Sequence, residues 1–252
     1  MIRLFLADID GCLAEPYEAF DLDGFRTLAA WGRRAEEDPL RPRLGICSGR
    51  AYAYVEATAQ ALDLRGPALF ESGAGRFDLP EARVRWSPLL TAELEAQLSD
   101  VRDWLRREIV RESGLMYDWT KRAQTGVVGL DREAVERAAE RVERHVAASF
   151  PDLVVAPTHV SVDVLPRALT KRAAIERLAD EEGLDLAAVA YIGDTRGDVA
   201  ALEVVGASFA PANAQAEVKA AVDHVTDGAG LEGVLEAYRW CVRRNHALAP
   251  AE

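Results

Sequence analysis

Short apolar runs alternate with stretches of helical spacing along this chain, and the alternation breaks once in the middle. "IRLFLA" (2–7), "RLGIC" (43–47) and "PALFES" (67–72) read as buried strands, with helical patterns around 23–37 and over 50–62 between them. The rhythm resumes with a helix over 170–182, a strand at "AVAYIG" (188–193), a helix near 197–205, a strand at "ASFA" (207–210) and a helix over 214–222. A short "DHVT" strand and a helix from about 230 close it. Strands separated by helices pair in parallel, so the expectation is an α/β, Rossmann-like, doubly wound sheet. The break has another grammar. An amphipathic helix over 91–113, a strand pair within "MYDWTKRAQTGVVG" (116–129), a helix over 131–148 and a second pair in "LVVAPTHVSVDVL" (153–165) repeat the order helix–strand–strand. That order predicts an inserted α+β domain of αββ repeats with an antiparallel sheet over 79–167. The core would comprise 1–78 and 168–252, with "DLPEA" and "LPRAL" as the connections.

Composition narrows the function classes. The 252 residues carry 30 Lys and Arg against 42 Asp and Glu, a net charge of −12, which argues against a sequence-independent nucleic-acid binder. An anionic small substrate stays compatible, because a bound metal ion can invert the field of a few carboxylates. No charged leader and no run long enough for a membrane span stand out, and no membrane partner is expected. Cys12, Cys47 and Cys241 are odd in number and widely spaced, a pattern expected of reduced thiols in the cytoplasm.

The chemistry concentrates where strands end. Asp8 and Asp10, in "DIDG", follow the first strand with the alternate spacing that can aim two side chains the same way. Asp and Gly also make ordinary turns, so the pair by itself reads either way. Cys47-Ser48-Gly49-Arg50 ends the second strand, and Ser48 with Gly49 offers either a helix cap or a phosphate seat. "YIGDTRGDVAAL" places Asp194 and Asp198 at a later strand end, where acids also serve the helix dipole. Carboxylates converging on one sheet edge repel without a cation, and oxygen-only ligands select a hard ion, Mg²⁺ above all. Lys171 is either a solvated helical lysine or a cation set against a phosphoryl group.

These four segments, in this order, resemble the four motifs of the haloacid dehalogenase superfamily of phosphohydrolases. An αββ cap between the second and third resembles the Cof-like and sugar-phosphatase branch, with archaeal-type phosphoglycolate phosphatases and sucrose-phosphate phosphatases nearest. The resemblance implies an Mg²⁺-dependent phosphatase acting on a small phosphorylated metabolite. Asp8 would be the nucleophile and Asp10 the acid and base. Ser48, Gly49 and Lys171 would bind phosphate. The metal would be held by the Asp8 carboxylate, the Asp10 backbone carbonyl and Asp194, with Asp198 nearby. Two departures stand out: Gly197 occupies a position commonly Asn, and "ESGAG" carries Ser72 where the branch usually has Asn.

Other outcomes fit parts of the pattern. A phosphomannomutase-like phosphosugar mutase uses the same acid pair and a similar cap. A receiver-like regulatory domain has an acidic cluster but no use for the insertion or Lys171, and a dehalogenase has none for Asp10. A catalytically dead binding protein fits poorly with all four motifs present. Within the insertion, Arg122 and Thr125 of "WTKRAQTG" are the candidates for contact with the leaving group, against the plainer reading of a solvated hairpin turn.

Overall fold

The computed structural model describes residues 1–249, which fall into two units: Met1–Arg85 with Lys171–Glu252, and Trp86–Thr170. In the first unit, β1 (Leu4–Ala7) is buried at every residue and lies at the centre of an eight-stranded sheet. Both faces of such a strand are covered, which is why its sequence is an unbroken apolar run. β2 (Arg43–Cys47) and β10 (Val189–Ile192) flank it in parallel, with Leu4 opposite Arg43 on one side and Val189 on the other. The order continues through β3 (Ala68–Phe70) on one side, and through β11 (Ala207–Ala210) and β12 (His224–Val225) on the other.

Helices lie between the strands, α1 (Leu22–Arg33), α2 (Tyr52–Ala61), α6 (Lys171–Glu182), α7 (Arg196–Leu202) and α8 (Ala216–Ala221), and α9 (Gly230–Leu248) follows the last strand. Asp21 caps α1 by accepting from Asp23 and Gly24 amides. α9 buries Leu231, Val234, Ala237, Tyr238 and Cys241 on one stripe, and its buried Asn245 bonds both the amide and the carbonyl of Ile2 at 2.7 Å.

The sheet extends beyond the expected core. β3 is followed by β4 (Gly75–Asp78), paired with it in antiparallel fashion, and by β5 (Arg83–Trp86) at the edge. The "DLPEA" segment is therefore the loop of a hairpin, and the chain passes between units at Arg85–Trp86 and Thr170–Lys171, a few residues beyond the expected points near Leu79 and Arg167. Ion pairs account for the extension: Arg76 reaches Asp78 and, at 2.8 Å, Glu182 on α6, while Arg85 reaches Asp78 at 3.1 Å. Arginine-rich edge strands carry little of the apolar pattern by which strands are recognised.

The second unit has its own antiparallel sheet, in the order β6 (Met116–Tyr117), β7 (Thr125–Val128), β9 (Ser161–Pro166), β8 (Leu153–Pro157). α3 (Ala92–Trp104) runs into a π-helical stretch, Leu105–Val110, and a last turn α4 (Arg111–Ser113); α5 (Arg132–Ser149) is the other helix. Leu98, Val101, Leu105 and Ile109 from the first helix and Val135, Ala138, Val142 and Val146 from α5 form one apolar cluster with Val127, Val162 and Val164 of the sheet. No helix among the described residues is long and apolar enough to cross a membrane.

Candidate active site

In a parallel sheet, ligands belong at the carboxyl ends of the strands, and there the first unit gathers its polar residues. The β1–β10 ladder continues one residue past Ala7, with the Asp8 amide donating to Ile192 O at 3.0 Å. The chain then turns back on itself, Leu13 N to Asp8 O and Ala14 N to Ile9 O, through Gly11 at φ +70°. A Cβ at Gly11 would stand 2.1 Å from Asp194 Oδ2, so only glycine lets this loop approach the next acidic residue.

Lys171 opens α6 and is buried, so it is not a solvated helical lysine. Its Nζ donates to Asp8 Oδ2 and to Asp198 Oδ1, each at 2.6 Å. Asp198 is buried too. Its Oδ1 also accepts from the Tyr191 hydroxyl, and its Oδ2 takes the Thr195 amide at 3.1 Å and hydroxyl at 3.0 Å in a capping box. With donors on both oxygens, Asp198 serves the geometry of Lys171 and of the α7 start. Burial alone would raise its pKa, but Lys171 and the hydrogen bonds outweigh burial and hold it below the usual carboxylate range. Lys171 is held well above its ordinary value, because Asp198 and Asp8 outweigh its burial.

The other two acids are under the opposite pressure. Burial pushes Asp8 up to about 6 against the pull of Lys171. Burial, then the charges of Asp8 and Asp198, push Asp194 up to about 8. One oxygen from each of Asp8, Asp194 and Asp198 lies within 4.8 Å of the others. Once all three are ionised, as a bound cation would hold them, three carboxylates face one ammonium, an excess of two negative charges. Asp194 Oδ1 is buried without a hydrogen-bond partner, a state that native structures avoid. An oxygen-only donor set, an excess of two charges and an orphaned carboxylate oxygen fit a hard divalent cation.

Asp10 stands apart from this cluster. Both its oxygens are taken by the Arg50 fork, Nε to Oδ2 at 2.7 Å and Nη2 to Oδ1 at 2.6 Å. Ser48 is fully buried. It is not a helix cap, because α2 begins at Tyr52 with Ala51 at the cap position. Its hydroxyl instead accepts from the Arg50 amide at 3.3 Å, and its carbonyl accepts from Ser72 N at 2.9 Å. A Cβ on Gly49 would meet Ser72 Oγ at an ordinary 3.6 Å.

In the second unit, Thr125 is fully buried at the start of β7, and its hydroxyl pairs with that of Tyr117 at 3.0 Å. Arg122 is half exposed, bonds Glu95 at 2.8 Å and lies 4.8 Å over the Trp86 ring. Sequence reasoning gave no role to Arg50, Tyr191, Thr195 or Asn213. Asn213 links Gly11 O at 2.9 Å to the amide of Gly230 at 2.8 Å. Arg50 ends the quoted motif that holds Ser48, and Tyr191 and Thr195 lie within "YIGDTRGDVAAL" beside Asp194, so nearness to a candidate was the signal for these three and Asn213 had none.

The chain is similar to known proteins along most of its length. A family model described as "haloacid dehalogenase-like hydrolase" matches residues 115–237, a span that includes Lys171, Asp194 and Asp198. A phosphoglycolate phosphatase of Natronomonas pharaonis is 24% identical over 238 residues, covering 94% of this chain and 96% of its own. Another, from Methanothermobacter thermautotrophicus, is 26% identical over 238 residues, covering 94% and 98%. Among solved structures, Thermoplasma acidophilum 0175 superposes with a TM-score of 0.73 at 21% identity over 96% of this chain and 98% of that one. The sucrose-phosphatase of Synechocystis sp. PCC6803, in complex with sucrose and phosphate, gives 0.72 at 16% identity over 96% and 98%.

Proposed function

We propose, from the premise that this chain is a haloacid dehalogenase-like hydrolase and a phosphatase, that it hydrolyses a small phosphorylated metabolite through an aspartyl-phosphate on Asp8. Phosphoglycolate, the substrate in the names of its full-length relatives, and sugar phosphates are the first candidates. The observation that carries the reading is the buried cluster of Asp8, Asp194 and Asp198 around Lys171, with its excess of two negative charges.

In this mechanism an oxygen of Asp8 attacks phosphorus. The Asp8–phosphorus bond forms as the phosphorus–alcohol bond breaks, and Asp10 gives its proton to the departing oxygen. Asp10 then takes a proton from water, which attacks the same phosphorus and releases inorganic phosphate and free Asp8. Lys171, held in place by Asp198, donates to the phosphoryl oxygens, and Ser48 with the amides around Gly49 completes their cradle. Phosphatases of this superfamily generally use Mg²⁺. Here Asp8, Asp194 and the Asp10 carbonyl would hold it, with Asp198 behind them, and the ion supplies neutralisation of phosphoryl charge.

Arg122 and Thr125 remain the inserted unit's candidates for selecting among phosphate esters, with Thr125 the weaker because its hydroxyl is engaged by Tyr117. Three buried free thiols suit a reducing cytoplasm. The test is phosphate release from a panel of phosphorylated glycolate, glycerate, hexoses and disaccharides, with Mg²⁺ and after exhaustive chelation. Full activity after chelation rejects the metal assignment, and no turnover of any ester with Mg²⁺ rejects the reading.

A further inference from the structure

Arg50 is anchored more heavily than a surface arginine needs. Its amide donates to Ser48 Oγ at 3.3 Å and its carbonyl accepts from Glu71 N at 2.9 Å, so the backbone is fixed on both sides. Its guanidinium lies 4.8 Å from the Tyr54 ring centre and 5.7 Å from that of Tyr17. Tyr54 leans on Phe20 (6.1 Å) and Phe20 on the buried Phe25 (5.2 Å), which ties the aromatic wall to α1 and α2. Tyr17 adopts φ +63°, a conformation that a non-glycine residue holds only when its surroundings impose it. Stacked planar guanidinium groups of this kind bind carboxylates in one orientation, which a lysine cannot do.

What the fork holds is the Asp10 carboxylate, two residues from Asp8. We propose that Arg50 is a positioning residue: clamped by Tyr17 and Tyr54, its two-point grip sets where the Asp10 carboxylate stands, and so how well Asp10 exchanges a proton with the leaving oxygen. A carboxylate offers about four lone-pair directions, and a bidentate arginine occupies two, so a free direction on each oxygen still faces other partners. Proton transfer requires a donor within about 2.6–3.2 Å of its acceptor, and a displacement of about 1 Å costs roughly 10²-fold in rate. Arg50 itself takes no part in bond making. The inference rests on the reading of Asp10 as the proton donor.

The leaving group separates positioning from mere support of the fold. An alkyl ester departs as a strongly basic alkoxide and needs the proton, whereas p-nitrophenyl phosphate departs as a stable phenolate and does not. The measurement is kcat/KM, which covers the steps up to departure of the alcohol, for the best alkyl ester of the panel and for p-nitrophenyl phosphate. It is made on the full chain as wild type, Arg50→Ala, Arg50→Lys, Tyr54→Leu and Asp10→Asn. Arg50→Ala is expected to lose about 30- to 100-fold on the alkyl ester and at least tenfold less on the aryl ester. Arg50→Lys and Tyr54→Leu should show the same selectivity at smaller size, and they carry the test if Arg50→Ala does not fold. Added guanidinium should restore part of the alkyl activity of Arg50→Ala. Equal losses on both esters, or no loss on either, overturn the proposal while Asp10→Asn keeps its larger loss on the alkyl ester. If Asp10→Asn is itself indifferent to the leaving group, the reading of Asp10 falls, and the role of Arg50 with it.

Discussion

The two units treat charge in opposite ways. In the first, Lys171, Asp8 and Asp198 form ion pairs almost out of reach of solvent, and each carboxylate oxygen of the two acids has a donor, the Ile9 amide serving Asp8 Oδ1 at 2.7 Å. In the second, Arg132–Glu136, Arg137–Glu133 and Arg141–Glu112 lie on exposed surface, and the interior is an apolar cluster with Lys121–Asp163 as a buried exception. Exposed pairs contribute about 0–1 kcal/mol each, so the inserted unit is held together by burial of apolar surface. Buried charges are costly and weak evidence of stability. The first unit therefore concentrates them in the cluster proposed to carry the chemistry, and the comparison sets residues that hold the protein folded against that cluster.

The largest effect should come from Asp8→Asn. Loss of a nucleophile costs about 10³-fold or more in turnover, and no phosphoenzyme should be trapped by acid quench with labelled substrate. Stability should not fall, because a like charge leaves a crowded site. Near-normal turnover would erase the distinction between the units.

Lys171→Met should come next, and it touches both properties. Turnover should drop about 10²- to 10³-fold, and urea denaturation should show a loss of about 3 kcal/mol as buried carboxylates lose their counter-ion. Added Mg²⁺ should return part of that stability. Arg132→Met in the inserted unit removes a cation of the same charge and should stay within about 0.5 kcal/mol.

Leu98→Ala reverses the pattern. This side chain is fully buried in the inserted unit, so the substitution should cost about 2–5 kcal/mol of stability. At a temperature where the variant stays folded, hydrolysis of p-nitrophenyl phosphate should stay within a few-fold of wild type. A collapse of activity in the folded variant would show that the units are less independent than their cores.

The smallest effect is one of pH. His145 stacks on Trp104 at 4.0 Å, and burial, then Arg107, lower its pKa. The unfolded chain thus takes up this proton first as pH falls. The contribution is fully present above the unfolded value, near 6.5, and is lost as pH drops through the lower folded value. Denaturation midpoints at pH 7.5 and 5.5, compared between wild type and His145→Gln, should differ in the wild type and converge in the variant at the lower pH.

The parallel core and the repeated helix–strand–strand unit were legible because burial writes periodicity into the sequence. β1 is apolar at every position and α5 carries a regular stripe. The β4–β5 hairpin was not, since ion pairs to residues as far away as Glu182 stabilise it and leave no local pattern. The acids were legible as a set, for they stand at strand ends. Their division of labour was not: which oxygen meets Lys171, and which carboxylate meets Arg50, depends on contacts 163 and 40 residues apart in sequence. Thr125 shows the limit from the other side, because its spacing on a turn gave no hint that its hydroxyl is spent on Tyr117.

The bond between Asn245 and Ile2 ties the last helix to the entry of the first strand. In time, this means that β1, made before its partners, is among the last strands of its unit to be finished. β1 has no β10 neighbour until Ile192 has emerged and no Asn245 anchor until later still, whereas the inserted unit is one continuous stretch, complete by Thr170. Units built from contiguous sequence assemble first, and contacts of long sequence separation close slowly. The acid cluster closes only after Lys171, Asp194 and Asp198 have followed, so until then Asp8 stands without its buried partners.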